Sequence, residues 1–405
     1  MKYDIGISNA VIVSSHNGYE PFIGSVGVKE TRITCVMHGE IDKEECEIWI
    51  DGTGKILMPG LVNGHCHGDM TLARGLGDDM TLLEQNHAFA DTGWFYTLID
   101  DEDRFYSRQL TYCEALLCGT TFIMENMYWG LGKESVRAMK EVGIRGALAE
   151  DIRVDFMRPD EFVSGEFLDE YKKQCEEAGL IPVIGGISEE DYETNRLKRI
   201  QGIAGQKGMK ITCHLAENTW RREIVRQRYQ TSAIDYLYQN DLLDENVIGS
   251  HVVYATEEEI AQLAQANVKV VNTPLCEMKI RDGIAPIPEM VRQGIRVCLG
   301  TDGAMWNNSN DIFREMKGIS LIHTMNSGIR SLDTKTILDM STVNGAMCFD
   351  LEKDYGTIEE GKKADFILLE TRTPHMQPLR LGKKENVTST LVFNATGQDL
   401  SLIHI

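Results

Sequence analysis

The 405-residue chain can bury a large core, and its 42% hydrophobic and 25% charged residues are ordinary for a globular protein. A formal net charge of −21 and an isoelectric point near 4.9 repel nucleic acid and anionic membranes, so neither is expected as a partner. No apolar run reaches membrane-spanning length, Met1-Lys2-Tyr3-Asp4 has no secretory layout, and the ten cysteines are scattered without a Cys-x-x-Cys pair; buried thiols in a reducing cytoplasm are expected.

Residues 1–57 read as short strands between glycine turns, at 4–13, 25–29, 32–38 and 47–51, with no helical period. From 58 the texture changes. Strand-like apolar runs at 57–62, 120–124, 145–149, 181–184, 210–215, 247–253, 268–272 and 296–300 alternate with amphipathic stretches. The latter fall at 101–118, 133–142, 167–178, 195–208, 232–238, 257–266, 288–294 and 312–325. Strand–helix alternation of this kind predicts an α/β fold, a parallel (β/α)8 TIM barrel over 58–352. From 353 the chain turns β-rich again, at 357–358 and 364–369. The two ends, 1–57 and 353–405, are therefore expected to build one small composite β-sandwich domain.

The run 57–62 leads into Asn63-Gly64-His65-Cys66-His67. Side chains alternate along an extended strand, so His65 and His67 point the same way, a half-site for a first-row metal. Active sites of (β/α)8 barrels lie at the C-terminal ends of the strands, so polar residues ending the other strands are the candidates. Strand 5 ends in His214-Leu215-Ala216-Glu217, strand 6 in Ser250-His251 and strand 8 in Gly300-Thr301-Asp302. Three imidazoles and one carboxylate suit Zn²⁺, with Fe²⁺ as the alternative. A bound metal lowers the pKa of its water to about 7 and so supplies hydroxide at neutral pH. Glu217, three residues past His214, is placed to carry a proton to a leaving group. His251 is placed to polarise the attacked centre, and Asp302 to bind metal and take a proton from water.

The segments 59–67, His214-Leu215-Ala216-Glu217, Ser250-His251, 283–290 and 299–304 resemble the metal and catalytic motifs of the amidohydrolase superfamily. Within it they resemble the aminohydrolase branch that holds 5-methylthioadenosine/S-adenosylhomocysteine deaminases and triazine hydrolases. Segments 70–79, 119–121 and 361–365 fit the same branch, so the resemblance runs along nearly the whole chain. It implies one divalent metal held by His65, His67, His214 and Asp302, with Glu217 and His251 in proton transfer and substrate polarisation. It further implies a deaminase of an aminated aromatic N-heterocycle (purine, pterin, pyrimidine or triazine-like). No lysine ends strand 4, where two-metal members carry a bridging carboxylated one. A homo-oligomer acting on a small molecule is expected.

The departures bear on the substrate. Adenosine-type deaminases follow strand 4 with Pro-His-x-x-Tyr; this chain has Gly185-Gly186-Ile187-Ser188-Glu189-Glu190-Asp191-Tyr192. Tyr96 stands where they carry a ribose-binding glutamate, and Cys276-Glu277 replaces their Ser-Asn. A bare heterocycle is therefore expected in preference to an adenosine-type nucleoside. Trp94, Phe95, Tyr96, Tyr128, Trp129 and Trp306 lie in strand-end loops and are candidates to stack on a flat ring, with Glu277 beside them. Loss of chloride or alkylamine from a triazine is the alternative reaction, methylthioadenosine or S-adenosylhomocysteine the alternative substrate, and a silent scaffold the non-enzyme alternative. The last residues, 400–405, depart from the resemblance, and a shortened or altered end with an exposed sheet edge is expected there.

Overall fold

Period-two patterning at the start of the chain yields β1 (Tyr3–Ile12), β2 (Phe22–Lys29), β3 (Arg32–His38), β4 (Cys46–Asp51) and β5 (Lys55–Pro59). The coordinates are a computed structural model and describe residues 1–90, 99–126, 132–151 and 165–404. The apolar run at 57–62 is not the single strand expected. Gly60 divides it: β5 belongs with the chain ends, and the first barrel strand, β6, is Leu61–Cys66. A Cβ at position 60 would overlap the Thr121 side chain, so the chain passes closest to its neighbour at this break.

The barrel strands are β6, β7 (Thr120–Asn126), β8 (Arg145–Asp151), β9 (Ile181–Ile187), β10 (Lys210–Leu215), β11 (Val247–His251), β12 (Lys269–Asn272) and β13 (Val297–Leu299). They lie side by side in sequence order in one eight-stranded sheet, with parallel pairing from β8 through to β13. The amides of Thr301 and Asp302 donate to the His65 carbonyl at 3.1 and 2.9 Å, which brings the end of β13 to the end of β6. This is the TIM-barrel arrangement that alternating strands and helices predict. The strands read as near-continuous apolar runs because both of their faces are buried. Helices form at Asp101–Leu117, Gly132–Val142, Gly165–Glu177, Thr194–Lys207, Ala233–Gln239, Glu257–Gln265, Ile287–Arg292 and Ile312–Ser327. One more, Thr219–Tyr229, starts directly after β10, where the Asn218 side chain accepts from the Arg221 amide as its N-cap.

Both ends of the chain contribute to the second sheet, as expected. It has seven strands in the order β15 (Leu400–His404), β14 (Phe366–Glu370), β5, β1, β2, β3, with β4 also paired to β1. β1 bulges between Ile7 and Ala10, where Asn9 takes a φ of 63°, and its two halves pair in parallel with β4 and β5. Ile7, Ile12, Val26, Val28, Ile33, Leu57, Phe366 and Leu368 form the sheet's buried core. The expected strand at 357–358 is absent; Ile358 instead packs into this core from irregular chain, so its apolarity marks burial and not pairing. The divergent end of the chain is ordered as β15, antiparallel to β14 at the edge of the sheet.

By contact the chain divides into two compact units. One is Met1–Val62 with Ala115–Phe122 and Asp311–Ile405; the other is Asn63–Glu114 with Ile123–Asn310. Among the described residues no helix is long and apolar enough to cross a membrane. No disulfide joins the ten cysteines.

Candidate metal centre and active site

Four strand ends of the second unit meet at one point. The ring centroid of His65, at the end of β6, lies 5.0 Å from that of His67 and 5.1 Å from those of His214 and His251. Asp302, three residues beyond β13, sets Oδ1 3.8 Å from His65 Nε2 and 3.6 Å from His67 Nε2. One donor atom from each of His65, His67 and Asp302 falls within 4.8 Å of the others, and the same holds for His65, His214 and His251. The structure thus brings together all five residues that end strands 1, 5, 6 and 8.

The backbone departs from strand geometry at this rim. Ala216, His251, Val252 and Asp302 have φ of 48°, 73°, 53° and 62°, in the left-handed region that residues with a Cβ disfavour. Each such residue costs about 1–3 kcal/mol and persists where the surroundings over-determine it, commonly at functional sites. The strand-end turns aim His251 and Asp302 inward at that cost. Gly300 allows the approach of β13 to β6, since a Cβ there would lie 2.9 Å from the backbone nitrogen and Cβ of His65.

The donor set fits a divalent cation. His65 Nδ1 lies 2.8 Å from Ser250 Oγ and 2.6 Å from the side-chain amide of Asn126, whereas its buried Nε2 has no hydrogen-bond partner. An imidazole fixed at one nitrogen with the other left over is the usual state of a metal-ligating histidine. Burial pushes His65 and His214 well below the usual histidine range and lowers His67 as well. All three are neutral at neutral pH, as ligation requires. Burial opposes ionisation of Asp302, but His65, His67, His251 and the Cys276 thiol outweigh it and hold its carboxyl below the usual range. The Cys276 thiol lies 3.0 Å from Asp302 Oδ2.

His251 differs from the other three. Burial opposes its charge, yet Glu217, Glu277 and Asp302 overcome this and push it up to about 10. Its Nδ1 lies 3.0 Å from Thr273 Oγ1 and 3.5 Å from Glu277 Oε1, and its Nε2 has no hydrogen-bond partner. A protonated imidazole donates and cannot ligate, so His251 suits a hydrogen-bond donor to substrate.

Glu217 is 2% exposed, and its Oε2 contacts Arg221 Nη1 one turn along the Thr219–Tyr229 helix. The same guanidinium also holds Glu190, with Nε 2.9 Å from Oε2. Glu189 is fully buried, accepts from the Ala216 amide, and is pushed up to about 8 chiefly by burial. Asp282 is 5% exposed, its Oδ2 meets no hydrogen-bond partner among the described residues, and burial, then the charge of Glu217, push its carboxyl up to about 9.

Of the expected substrate contacts, Trp94, Tyr96 and Trp129, like Phe95 and Tyr128, lie outside the described residues. Trp306 is in the short helix Ala304–Asn307, packed with Met70, Cys276 and Ile280, its ring edge-on to His67 at 5.2 Å. Glu277 spends its carboxylate on Asn272, Thr273 and His251. Sequence reasoning missed Asn126, Arg221 and Asp282. Asn126 ends a barrel strand and was open to the same strand-end argument; Arg221 and Asp282 read as an ordinary helix residue and an Asp-Gly turn.

The described features recur in known proteins. Residues 56–397 match the amidohydrolase family. A 5'-deoxyadenosine deaminase of Methanopyrus kandleri is 33% identical over 372 residues, 89% of this chain and 83% of that protein. A 5-methylthioadenosine/S-adenosylhomocysteine deaminase of Aquifex aeolicus is 31% identical over 395 residues, 93% and 86% of the two chains. An adenosine deaminase structure from Xanthomonas campestris with bound zinc shares the fold, with a TM-score of 0.90, 23% identity, and coverage of 100% of this chain and 92% of that one. A match over most of its length, with the barrel and the strand-end histidines in place, makes this chain a member of the amidohydrolase family.

Proposed function

We propose that the chain is a metal-dependent hydrolase that removes an amine from a planar, aminated N-heterocycle. The observation that carries this reading is the convergence of neutral imidazoles and an ionised carboxylate on one rim, with a buried glutamate three residues from one of them. His65, His67, His214 and Asp302 hold one divalent ion. Zn²⁺ suits three nitrogens and an oxygen, with Fe²⁺ the alternative. The ion supplies Lewis acidity to the hydrolysis. Glu217 moves a proton from the attacking water to the departing amine, so that ring C–NH₂ and water become ring C=O and ammonia. Protonated His251 donates to the attacked centre and stabilises negative charge as it develops there.

Two substrate forms fit, each favoured by a different observation. The absence of histidine from Gly185–Tyr192 favours a bare heterocycle, because sugar hydroxyls buried without partners cost about 1–3 kcal/mol each. The named relatives favour a 5'-substituted adenosine. The test is ammonia release by metal-replete protein from aminated purines, pterins, pyrimidines and triazines, and from matched nucleosides, ranked by kcat/KM. Release from a heterocycle or its nucleoside is expected. Chloride or alkylamine in place of ammonia would identify the triazine-type reaction, and no turnover of any compound would overturn the reading.

A further inference from the structure

Asp302 divides its two oxygens between different partners. Oδ1 lies nearest the Nε2 atoms of His65 and His67 and accepts from the Gly303 amide at 2.7 Å. Oδ2 is taken by the Cys276 thiol at 3.0 Å, its one hydrogen-bond partner among the described residues. Cys276 is fully buried in the short helix Pro274–Lys279, which follows β12, the strand paired with β13. Its position is fixed from two directions. It packs in one cluster with Met70, Ile280, Met305 and Trp306. The next residue, Glu277, ties the helix back to Asn272 and Thr273 at the end of β12.

The usual roles of a cysteine do not fit here. Cys276 forms no disulfide, and it belongs to neither group of donor atoms gathered at the metal position. A thiol buried among apolar side chains stays protonated and unreactive. Its S–H is then a hydrogen-bond donor aimed at a carboxylate. Sulfur is a weak donor, but a hydrogen bond to an ionised acceptor is about twice as strong as one between neutral groups.

We propose that Cys276 is a positioning residue whose thiol occupies Oδ2 of Asp302, so that Oδ1 alone ligates the ion. The inference rests on the reading of Asp302 as a metal ligand. A carboxylate can bind a metal through one oxygen or through both. A hydrolytic site must keep one coordination position open for water. An Oδ2 free to swing to the ion would fill that position, and a carboxylate free to turn would also hold Oδ1 less firmly. The thiol prevents both by engaging Oδ2 from the helix after the neighbouring strand. Partners behind a ligand typically change metal affinity or activity by about 10–100-fold.

The experiment compares wild type, Cys276→Ser, Cys276→Ala and Ile280→Val. Ile280→Val loosens the same cluster and leaves the thiol in place. Each full-length protein is loaded with Zn²⁺, whose release to excess chelator is timed, and with Co²⁺, whose visible spectrum reports coordination. Cys276→Ala should release zinc about tenfold faster. Its cobalt band should weaken, as it does when a second oxygen joins the ion. Cys276→Ser keeps a donor, and Ile280→Val keeps the thiol, so both should stay within about threefold of the wild-type release rate. The infrared difference between wild type and Cys276→Ser isolates the Cys276 S–H stretch, which should lie below that of thiols without an acceptor; this needs no alanine variant. The proposal is overturned by a Cys276→Ala protein with wild-type release and spectrum, or by a Cys276→Ser or Ile280→Val protein as impaired as Cys276→Ala. An unshifted S–H stretch overturns it as well. Wild-type protein that takes up neither zinc nor cobalt brings down the metal reading itself, whereas uptake with unchanged variants brings down the role of Cys276 alone.

Discussion

Glu277 holds its carboxylate 3.5 Å from the Nδ1 of His251, and the same carboxylate is anchored by Asn272 Nδ2 at 2.8 and 2.9 Å and by the Thr273 amide at 3.1 Å. A fixed buried carboxylate behind an imidazole favours the imidazolium, and His251 is pushed up to about 10 despite its burial. An unfolded histidine titrates near about 6.5. A group with its pKa raised on folding contributes stability that is complete below the unfolded value and is lost as pH rises through the folded one. Wild-type stability to urea should therefore decline between neutral pH and about 10. Glu277→Gln, which keeps the shape without the charge, should flatten that decline and lower kcat about tenfold. Parallel stability–pH curves for the two proteins would refute the assignment.

The metal-ligand set leads to a count. Elemental analysis after mild purification should find about one zinc or iron per chain, by the four-donor logic of a mononuclear site. His67→Ala should lose the metal together with activity. Two metals per chain, or full activity after exhaustive chelation, would contradict the set.

Glu217 is assigned to proton transfer and not to ligation, because its Oε2 is turned to Arg221. Glu217→Gln should keep its metal while kcat falls about 10²-fold or more. Loss of metal with the side chain would make Glu217 a ligand instead.

Much of this site was legible in the sequence because a parallel barrel leaves little choice. Once the strands are located, their C-terminal residues must share a rim, so His65, His67, His214, His251 and Asp302 converge by topology alone. What escaped has physical reasons. Met58 and Leu61 are equally apolar on either side of Gly60, so periodicity could not show that one belongs to β5 and the other to β6. The left-handed turns at Ala216 and His251 carry none of the usual glycine or asparagine signal, because the surrounding structure imposes them. Burial of Arg221 and Asp282 depends on loops from three strands meeting, which no local pattern records.

Arg221 gives the last prediction. Its guanidinium, 7% exposed at the side chain, joins Glu217 at 3% to Glu190 at 27%. The position lies on a helix whose other arginines, such as Arg222 and Arg226, face outward, so nothing local separates it from them. Removing one partner of a buried ion pair costs about 3–5 kcal/mol, because the charge left behind has no counterion. Glu190 is partly solvated and recovers some of that loss, so Arg221→Met should destabilise the protein toward the lower end of the range. Arg221→Lys keeps the charge but not the fork that reaches both carboxylates, and should fall between wild type and Arg221→Met. Glu190→Gln added to Arg221→Met should restore part of the stability but little of the kcat, since Glu217 still lacks the group that holds it. A chemical-denaturation series on the four proteins, with kcat measured in parallel, separates the two effects. If Arg221→Met is as stable and as active as wild type, the guanidinium neither supports the fold nor positions Glu217.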